Sequence, residues 1–429
     1  MRATRVALAG ALAILGPPSL ALLPVNLGEA GLTTVVVGQS RTAGPDWPQW
    51  RGPNRDGSLP TFTAPASWPE TLTRRWKVEV GTGYATPIVV ANRVYAFSRQ
   101  NEDEVMRALD AETGKTVWET RYATQFKMNP ATARHGPGPK STPTFADGRL
   151  FTLGITGIVT AFDAATGKQI WQKPAPPVES HFHTSQSALV DRGQVILHVG
   201  GHDQGALTAF DAATGAVKWS WNGDGPAYGS PILADFSGTR QVINFSQKSL
   251  LGVDAATGQL LWRVPFEARS ITNSITPLVY GQTVIVSGQG KPLTAYRISK
   301  QNDQWSAELA WENDQLQMSF SNPVLVRDAV FSMSPLNSGQ FFWADAKTGA
   351  TIWRSAPRQA GNAAIVRTTD FLFVLKDDGQ LIVARSAPGG FEPLKTYTVA
   401  DSATWAAPAI SGNRLFVKDI STLALWTLN

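Results

Sequence analysis

One short pattern recurs along this chain and limits the folds that it can adopt. An apolar pair is followed by Asp-Ala-x-Thr-Gly, then by a few residues and a Trp. An Asp side chain can accept hydrogen bonds from backbone N–H groups two residues on, and Gly supplies the positive φ of a tight turn. Each copy therefore predicts a β-hairpin with Trp on its second strand. The copies place Asp and Trp at Asp110 and Trp118, Asp163 and Trp171, Asp211 and Trp219, Asp254 and Trp262, and Asp345 and Trp353.

A second pattern marks a further strand in each unit. A small residue and Pro precede an alternation of apolar and polar residues, as in a strand with one buried face. The copies begin at Thr86, Thr142, Ser230, Thr276, Asn322 and Ala407, with eroded copies at Gln186 and Ala363. These eight starts lie about 40 to 56 residues apart, which is the period of four-stranded propeller blades.

The two ends of the repeat region indicate how the ring closes. Trp76-Lys77-Val78 has the pattern of an outer strand before the first unit, and the segment from Leu423 to Leu428 ends without such a strand. We expect the N-terminal strand to complete the last blade, because a closed ring leaves no large exposed sheet edge. The sequence thus predicts an all-β, eight-bladed β-propeller of four-stranded antiparallel blades, closed by the strand near Trp76.

Two units lack the Asp-to-Gly turn but keep the strand alternation. The fifth has a longer hairpin through Arg297 to Gln304 that ends at Trp311. The seventh has Ala387 to Gly390 in place of the turn and Tyr397 in place of Trp. We count both as blades, and we expect the Trp side chains of the pattern to pack between blades.

The N-terminal region predicts export. Arg2 and Arg5 precede an apolar segment from Val6 to Leu15, and Pro17-Pro18 interrupts it before it could span a membrane as a helix. We interpret residues 1–43 as a signal peptide and disordered lead, residues 44–75 as a lead-in segment and residues 76–429 as the propeller. The expected location is the periplasm or the secreted fraction. An uncleaved signal, the alternative to cleavage, would be the one expected contact with a membrane.

Composition excludes several kinds of site. The chain has no Cys, which excludes disulfides, thiolate zinc sites, c-type haem attachment and a lipoprotein anchor. Its net charge of +5 comes from dispersed basic residues, so we expect no nucleic-acid partner. The Gly-x-Ser-x-Gly elbow, the His-Glu-x-x-His motif and the nucleotide fingerprints are also absent from the sequence.

The hairpin pattern resembles the pyrroloquinoline-quinone (PQQ) repeat, over nearly the whole chain after about Trp76. The segment from Asp46 to Pro53 resembles the lead-in of a bacterial group of exported PQQ-like propellers, as do Gly83 to Pro87 and Phe320 to Leu325. This superfamily includes quinoprotein alcohol dehydrogenases, whose eight-bladed ring holds PQQ and calcium. It also includes the outer-membrane protein assembly lipoprotein, a cofactor-free binding scaffold. The resemblance therefore implies the fold and leaves the activity open.

The mouth of the central channel is the best-placed candidate site, because the loops that enter the innermost strand of each blade converge there. Residues from several blades would form a funnel of aromatic, cationic and hydroxyl groups, which suits a flat aromatic or polar ligand. The alternative is that these side chains only plug and pack the channel. The candidate ligand-binding residues are Tyr84, Lys140, His183, Tyr228, Asn273, Ser274, Phe320, Asn322 and Trp405.

A PQQ enzyme would make further demands on this funnel. Calcium needs several oxygen ligands, usually with a carboxylate among them, and a carboxylate base must accept the proton of the alcohol. The Asp residues of this chain mostly occupy hairpin turns, and no clear Asp pair stands at a funnel position. We therefore assign no catalytic residue and no cofactor, with PQQ and calcium as the alternative.

All five histidines lie between His135 and His202. His181 and His183 would share one face of a strand, and imidazole groups can bind zinc or copper. We expect loop and strand histidines without a metal. The candidate ligands for the alternative reading are His181, His183, His198 and His202.

These patterns favour an exported, non-catalytic propeller that binds a protein, peptide or polymer partner through its funnel and loop face. A PQQ-dependent dehydrogenase of alcohols or sugars is the alternative.

Overall fold

The propeller predicted from the repeats is present in the computed structural model, which describes residues 46–125 and 127–428. These residues form eight sheets of four antiparallel strands, arranged as an eight-bladed β-propeller, together with three short 3-10 helices. The predicted fold class and blade number are confirmed. The expected signal peptide and disordered lead at residues 1–43 lie outside the described residues. In the part of the chain that is described, no helix has the length and apolar character needed to cross a membrane.

Each blade is a meander whose first strand lies innermost, next to the central channel. Blade 1 follows the N-terminal strand β1 (Thr73–Glu79) and consists of β2 (Ile88–Val90), β3 (Arg93–Gln100), β4 (Asp103–Asp110) and β5 (Thr116–Ala123). Blade 2 consists of β6 (Thr144–Ala146), β7 (Arg149–Leu153), β8 (Val159–Asp163) and β9 (Gln169–Lys173). Blade 3 consists of β10 (Leu189–Asp191), β11 (Gln194–Gly201), β12 (Gln204–Asp211) and β13 (Val217–Asn222). Blade 4 consists of β14 (Ile232–Phe236), β15 (Thr239–Phe245), β16 (Ser249–Asp254) and β17 (Leu260–Pro265).

The second half of the ring repeats this arrangement. Blade 5 consists of β18 (Leu278–Tyr280), β19 (Thr283–Gly288), β20 (Lys291–Gln301) and β21 (Gln304–Asn313). Blade 6 consists of β22 (Val324–Val326), β23 (Ala329–Ser334), β24 (Gln340–Asp345) and β25 (Thr351–Arg354). Blade 7 consists of β26 (Ala363–Arg367), β27 (Phe371–Lys376), β28 (Gln380–Arg385) and β29 (Pro393–Thr398). Blade 8 contains β30 (Ala409–Ser411), β31 (Arg414–Lys418) and β32 (Thr422–Thr427). The 3-10 helices are Pro130–His135, Arg269–Ile271 and Leu336–Ser338.

The N-terminal strand closes the ring as predicted. β1 pairs antiparallel with β32 and becomes the outermost strand of blade 8, with Trp76 opposite Leu425. At the same junction the ammonium group of Lys418 is fully buried and donates to the carbonyl oxygens of Gly83 at 2.7 Å and Gly81 at 3.1 Å. It also donates to the carbonyl oxygen of Ile420 at 3.2 Å, so one cation joins the two ends of the ring.

At five of the eight junctions a Trp joins one blade to the next. Its indole N–H crosses the interface and donates to the carbonyl of the Ala that follows Asp in the next turn. The pairs are Trp76 with Ala111 (3.1 Å), Trp118 with Ala164 (3.1 Å), Trp171 with Ala212 (3.1 Å), Trp219 with Ala255 (3.2 Å) and Trp311 with Ala346 (3.2 Å). Of the five Trp residues of the pattern, Trp118, Trp171 and Trp219 make this contact, and Trp76 of β1 and Trp311 of blade 5 make it too.

The turn itself is built to receive the indole ring. Asp163 accepts hydrogen bonds from the backbone N–H of Thr166 at 2.8 Å and from its hydroxyl at 2.7 Å, and these donors lower the pKa of Asp163. Gly167 has a φ of +74°, and a Cβ there would lie 2.4 Å from the ring of Trp118. Only Gly meets both conditions, because it tolerates positive φ and leaves room for the ring.

The two degenerate blades change this contact in a way that their sequence explains. Blade 5 lacks the Asp-to-Gly turn, and the indole of Trp262 in blade 4 instead donates to the side-chain oxygen of Gln241 in its own blade, at 2.7 Å. In blade 7, Tyr397 takes the place of Trp and donates its hydroxyl to the carbonyl of Pro69, at 2.8 Å. Both Trp262 and Tyr397 thus donate to an oxygen outside the repeated turn.

A segment ahead of β1 enters the central channel and divides it. Of the lead-in predicted over residues 44–75, this part is residues 46–62, and from here on we use the term lead-in segment for these residues. The innermost strands begin at one end of the channel, which we call the funnel face. The opposite end is the turn face. Trp47 exchanges backbone hydrogen bonds with Val89 of blade 1, and the backbone N–H of Leu59 donates to the carbonyl of Arg367 of blade 7. Between them, Arg55 donates to carbonyls of blades 3 and 4. The segment therefore crosses the ring and contacts opposite blades.

We expect Trp171→Ala to lower the free energy of unfolding by about 3–5 kcal/mol, because the substitution leaves a cavity and removes the donor of the Ala212 carbonyl. Chemical denaturation measures the change. Trp305→Ala is the matched control, since Trp305 is half-buried near the tip of the β20–β21 hairpin. A loss at position 305 as large as that at position 171 would contradict the role of the indole-to-turn contact.

We expect Lys418→Met to cost about 2–3 kcal/mol, because it leaves buried carbonyl oxygens at the ring junction without a donor. Lys248→Met is the control, since Lys248 forms a solvent-exposed ion pair with Asp203 that is worth less than about 1 kcal/mol. Equal denaturation midpoints for the two variants would show that the junction does not depend on the buried ammonium.

Candidate functional site

A cavity of about 370 Å³ opens at the funnel face. The residues that precede the innermost strands form its wall, and Trp50 of the lead-in segment lies at its inner end, where the indole N–H donates to the hydroxyl of Thr276 at 3.0 Å. Seven of the nine candidate residues line this cavity, namely Tyr84, Lys140, Tyr228, Ser274, Phe320, Asn322 and Trp405. We call it the funnel cavity.

Aromatic side chains from separate blades form one side of the funnel cavity around Trp405. The ring centroid of Trp405 lies 4.6 Å from that of His135, 5.9 Å from that of Phe320 and 6.3 Å from that of Tyr84. Phe320 is 44% exposed, although most large apolar side chains of the chain are buried. Such a surface offers ring faces and edges to a planar or apolar group.

Two cations lie in the same wall. The ammonium group of Lys140 donates to the carbonyl of Phe182 at 3.3 Å, and burial lowers the pKa of Lys140 to about 8. The guanidinium of Arg134 lies 5.9 Å from the ring centroid of Trp405 and donates through Nε to His135 at 3.1 Å. Burial and these two positive charges lower the pKa of His135 to about 4, so it is neutral at pH 7.

The described lining of the funnel cavity contains no Asp or Glu. Its polar groups are cations, amides and hydroxyls, among them Ser185, Asn322 and Asn362. A cavity with this lining favours an anionic or neutral ligand that has an aromatic or apolar part.

The other two candidate residues lie outside the funnel cavity and hold its loops. The ring Nε2 of His183 accepts a hydrogen bond from the backbone N–H of Asn129 at 3.3 Å, at the start of the 3-10 helix Pro130–His135. Asn273 is fully buried, and its side-chain amide donates to the carbonyls of Phe266 at 2.7 Å and Ser246 at 2.9 Å. Both residues position backbone that supports the cavity wall.

The sequence reasoning missed thirteen of the twenty lining residues, among them Trp50, Arg134, His135 and Phe182. The Gly/Pro-rich stretch after His135 is a signal of a shaped loop and could have drawn attention to His135 and Arg134. Nothing in the local pattern around Trp50 shows that the lead-in segment turns into the channel, because that depends on contacts with distant blades.

The histidine candidates for a metal are engaged in other contacts. His198 is buried, with Nε2 2.8 Å from the carbonyl oxygen of Asp224 and Nδ1 3.1 Å from the side-chain amide of Asn244. The rings of His181 and His202 lie 5.2 Å apart, and Nε2 of His202 is 3.3 Å from the carboxylate of Asp203. Among residues 46–125 and 127–428 no three His, Asp or Glu side chains are grouped so that they could hold a metal ion.

Known proteins share this architecture. BamB of Yersinia pestis, an outer membrane protein assembly factor, is 25% identical over 254 residues, which cover 55% of this chain and 63% of that protein. The match thus spans just under two thirds of that relative's length. The dehydrogenase subunit of a quinone alcohol dehydrogenase of Acetobacter aceti is 33% identical over 134 residues, 28% of this chain and 17% of that subunit.

A solved structure shows the same fold. The crystal structure of BamB from Moraxella catarrhalis matches with a TM-score of 0.59 at 15% identity, over 83% of this chain and 98% of that one. A family model described as "Outer membrane protein assembly factor BamB" matches residues 67–135 and 101–355. Since these matches cover more than half of the sequence, the chain belongs to this family of PQQ-like propellers.

Proposed function

We propose that this chain is an exported, non-catalytic scaffold whose funnel face binds a segment of a protein or peptide partner. The observation that carries the proposal is the funnel cavity, an aromatic and cationic recess that the lead-in segment closes from within. Family membership supports a protein partner, because the family model and the Yersinia pestis relative are described as outer membrane protein assembly factors.

The geometry of the funnel cavity suits the anchor of a binding interface. Interfaces depend on a few large side chains that enter desolvated pockets, with aromatic residues and Arg enriched at such positions. Trp405 and Phe320 supply the apolar surface, and Lys140 adds a buried positive charge. A partner segment with an apolar side chain next to a carboxylate would satisfy both features.

The closed ring explains why binding needs no conformational step in the scaffold. The residues around the cavity come from separate blades, and each blade is fixed to its neighbours by indole-to-turn contacts or their substitutes. Such a frame holds the anchor groups in place before the partner arrives, which lowers the entropic cost of association.

The second candidate, a PQQ-dependent dehydrogenase, is favoured by the match to the Acetobacter aceti subunit. PQQ is a flat anionic quinone, and Lys140, Arg134 and Trp405 would suit its charge and its ring. The lining nevertheless supplies no carboxylate for a calcium ion or for the base that accepts the alcohol proton. The residues of the cavity thus suit the charge and ring of the quinone, but they supply neither the calcium ligands nor the base that the oxidation of an alcohol requires.

Site-specific photo-crosslinking tests the binding face. A photoreactive phenylalanine analogue at Phe320 is expected to give a discrete crosslinked partner in the producing cells. The same analogue at Val217, on the outer strand of blade 3 and 59% exposed, is the control and is expected to give none. We expect Trp405→Ala to reduce the crosslink at position 320 by at least about tenfold, because it removes the central aromatic anchor. Equal crosslinking from both positions, or a yield unchanged by Trp405→Ala, would contradict the proposal.

Titration with PQQ and calcium chloride separates the two candidate functions. We expect neither a saturable change in quinone absorbance nor dye-linked oxidation of ethanol, because the cavity lacks the carboxylates that both would use. Saturable binding accompanied by alcohol oxidation would overturn the scaffold reading in favour of the dehydrogenase.

A further inference from the structure

A second cavity, of about 340 Å³, lies on the other side of the lead-in segment. It is lined by residues of the lead-in segment and by the innermost strands of blades 3 to 7 or the residues just before them. Trp50 belongs to the lining of the funnel cavity, whereas its neighbours Gln49 and Arg51 belong to the lining of this one. We call it the turn-face cavity.

Three arginines line the turn-face cavity, namely Arg51, Arg55 and Arg367. No ion pair joins any of the three to a carboxylate within the described residues. One acidic residue, Asp56, also lines the cavity, and its Oδ1 accepts hydrogen bonds from the backbone N–H of Ser58 at 2.9 Å and from its hydroxyl at 2.6 Å. Formal charge at the lining is therefore two units positive.

The two lead-in arginines are held by backbone carbonyl oxygens, and Arg55 also donates to the side-chain oxygen of Gln49 at 3.1 Å, so that all five of its N–H groups have acceptors. Arg55 donates to the carbonyls of Ala188 at 2.7 Å, Ser187 at 3.0 Å and Pro231 at 3.0 Å. Arg51 donates to the carbonyls of Asp56 at 2.8 Å and of Pro323. These contacts orient the guanidinium groups. The charge of Asp56 acts to raise the pKa of Arg51 but does not offset the effect of burial.

Burial makes the charged forms of Arg51 and Arg55 less favourable. Burial lowers the pKa of Arg51 to about 10 and that of Arg55 to about 9, and the charge of Arg51 contributes to the second shift. Nε of Arg51 and Nε of Arg367 are buried without a hydrogen-bond partner in the described structure. An anion in the cavity would relieve this repulsion and could accept charge-assisted hydrogen bonds.

The remaining wall of the turn-face cavity is aliphatic. Val190, Leu233, Val279 and Leu325 are its partly exposed apolar residues, whereas Leu189, Ile232 and Leu278 lie behind them in the hydrophobic core. A free inorganic ion would leave most of this wall without contact, and a cavity of this volume is in the range of small-molecule sites. The wall therefore favours a ligand with an apolar body.

We infer that the turn-face cavity binds a small organic anion, with a carboxylate head at Arg51 and Arg367, near the positive charge of Arg55, and a short aliphatic body against the partly exposed valine and leucine side chains of the wall. This site lies across Trp50 from the funnel cavity. It is independent of the proposed partner-binding function, because each cavity can be tested without the other.

Calorimetric titration of the full chain tests this inference with four probes. We expect saturable binding of hexanoate, and no binding of hexanol or hexylamine at the same concentrations, because these lack the negative charge. Inorganic phosphate is expected to bind at least about tenfold more weakly than hexanoate, since it has no apolar body to contact the aliphatic wall. No binding of hexanoate, equal binding of hexanol, or equal binding of phosphate would each overturn the inference.

The variant Arg367→Gln locates the site. Arg367 belongs to β26 and lies outside the lead-in segment, so its loss leaves the carbonyl contacts of Arg51 and Arg55 in place. We expect the Kd for hexanoate to rise about tenfold or more, the usual effect of losing a charged hydrogen-bond donor. The control is Arg385→Gln, an exposed arginine of the same blade, which should leave the Kd unchanged. An unchanged Kd in Arg367→Gln, or an equal rise in both variants, would contradict this placement.

Discussion

At five of its eight blade junctions the ring depends on one contact, the indole N–H of one blade donated to the turn carbonyl of the next. The contact combines a hydrogen bond with burial of a large ring, and it needs a Gly beneath that ring because a side chain there would overlap the indole. The Asp and Thr of the turn hold its backbone in the shape that presents the carbonyl. Asp, Thr, Gly and Trp thus all contribute to the same contact between blades, which explains why they recur together at a fixed spacing.

The lead-in segment gives the closed ring its two separate cavities. Its arginines use main-chain carbonyls of distant blades as acceptors, and Trp50 lies between the recess at the funnel face and the one at the turn face. Both recesses carry positive charge, which their linings leave largely uncompensated. A chain with a modest net charge therefore concentrates cations at the two ends of its channel, where each group of cations is backed by apolar side chains.

The sequence predicted the fold in detail, because each blade repeats the same local chemistry. Hairpin turns, blade number and the pairing of β1 with β32 all depend on patterns that lie within one or two units. The candidate site could be predicted only in part. Tyr84 and Trp405 could be predicted because they come just before an innermost strand. His183 and Asn273 lie in the same region of the sequence, but their side chains form hydrogen bonds with adjacent loops and do not line the cavity. Trp50 and the three channel arginines could not be found, since their positions are set by contacts between residues more than a hundred positions apart.

Hydrogen exchange of the lead-in backbone tests the division of the channel most directly. The amides of Trp47 and Leu59 donate to the carbonyls of Val89 and Arg367, at 2.7 Å and 2.8 Å. If the segment is fixed across the channel, these amides exchange as slowly as those of the innermost strands, because opening them requires the ring to open. Exchange at the rate of an exposed loop would show that the segment leaves the channel freely, and the two cavities would then be one.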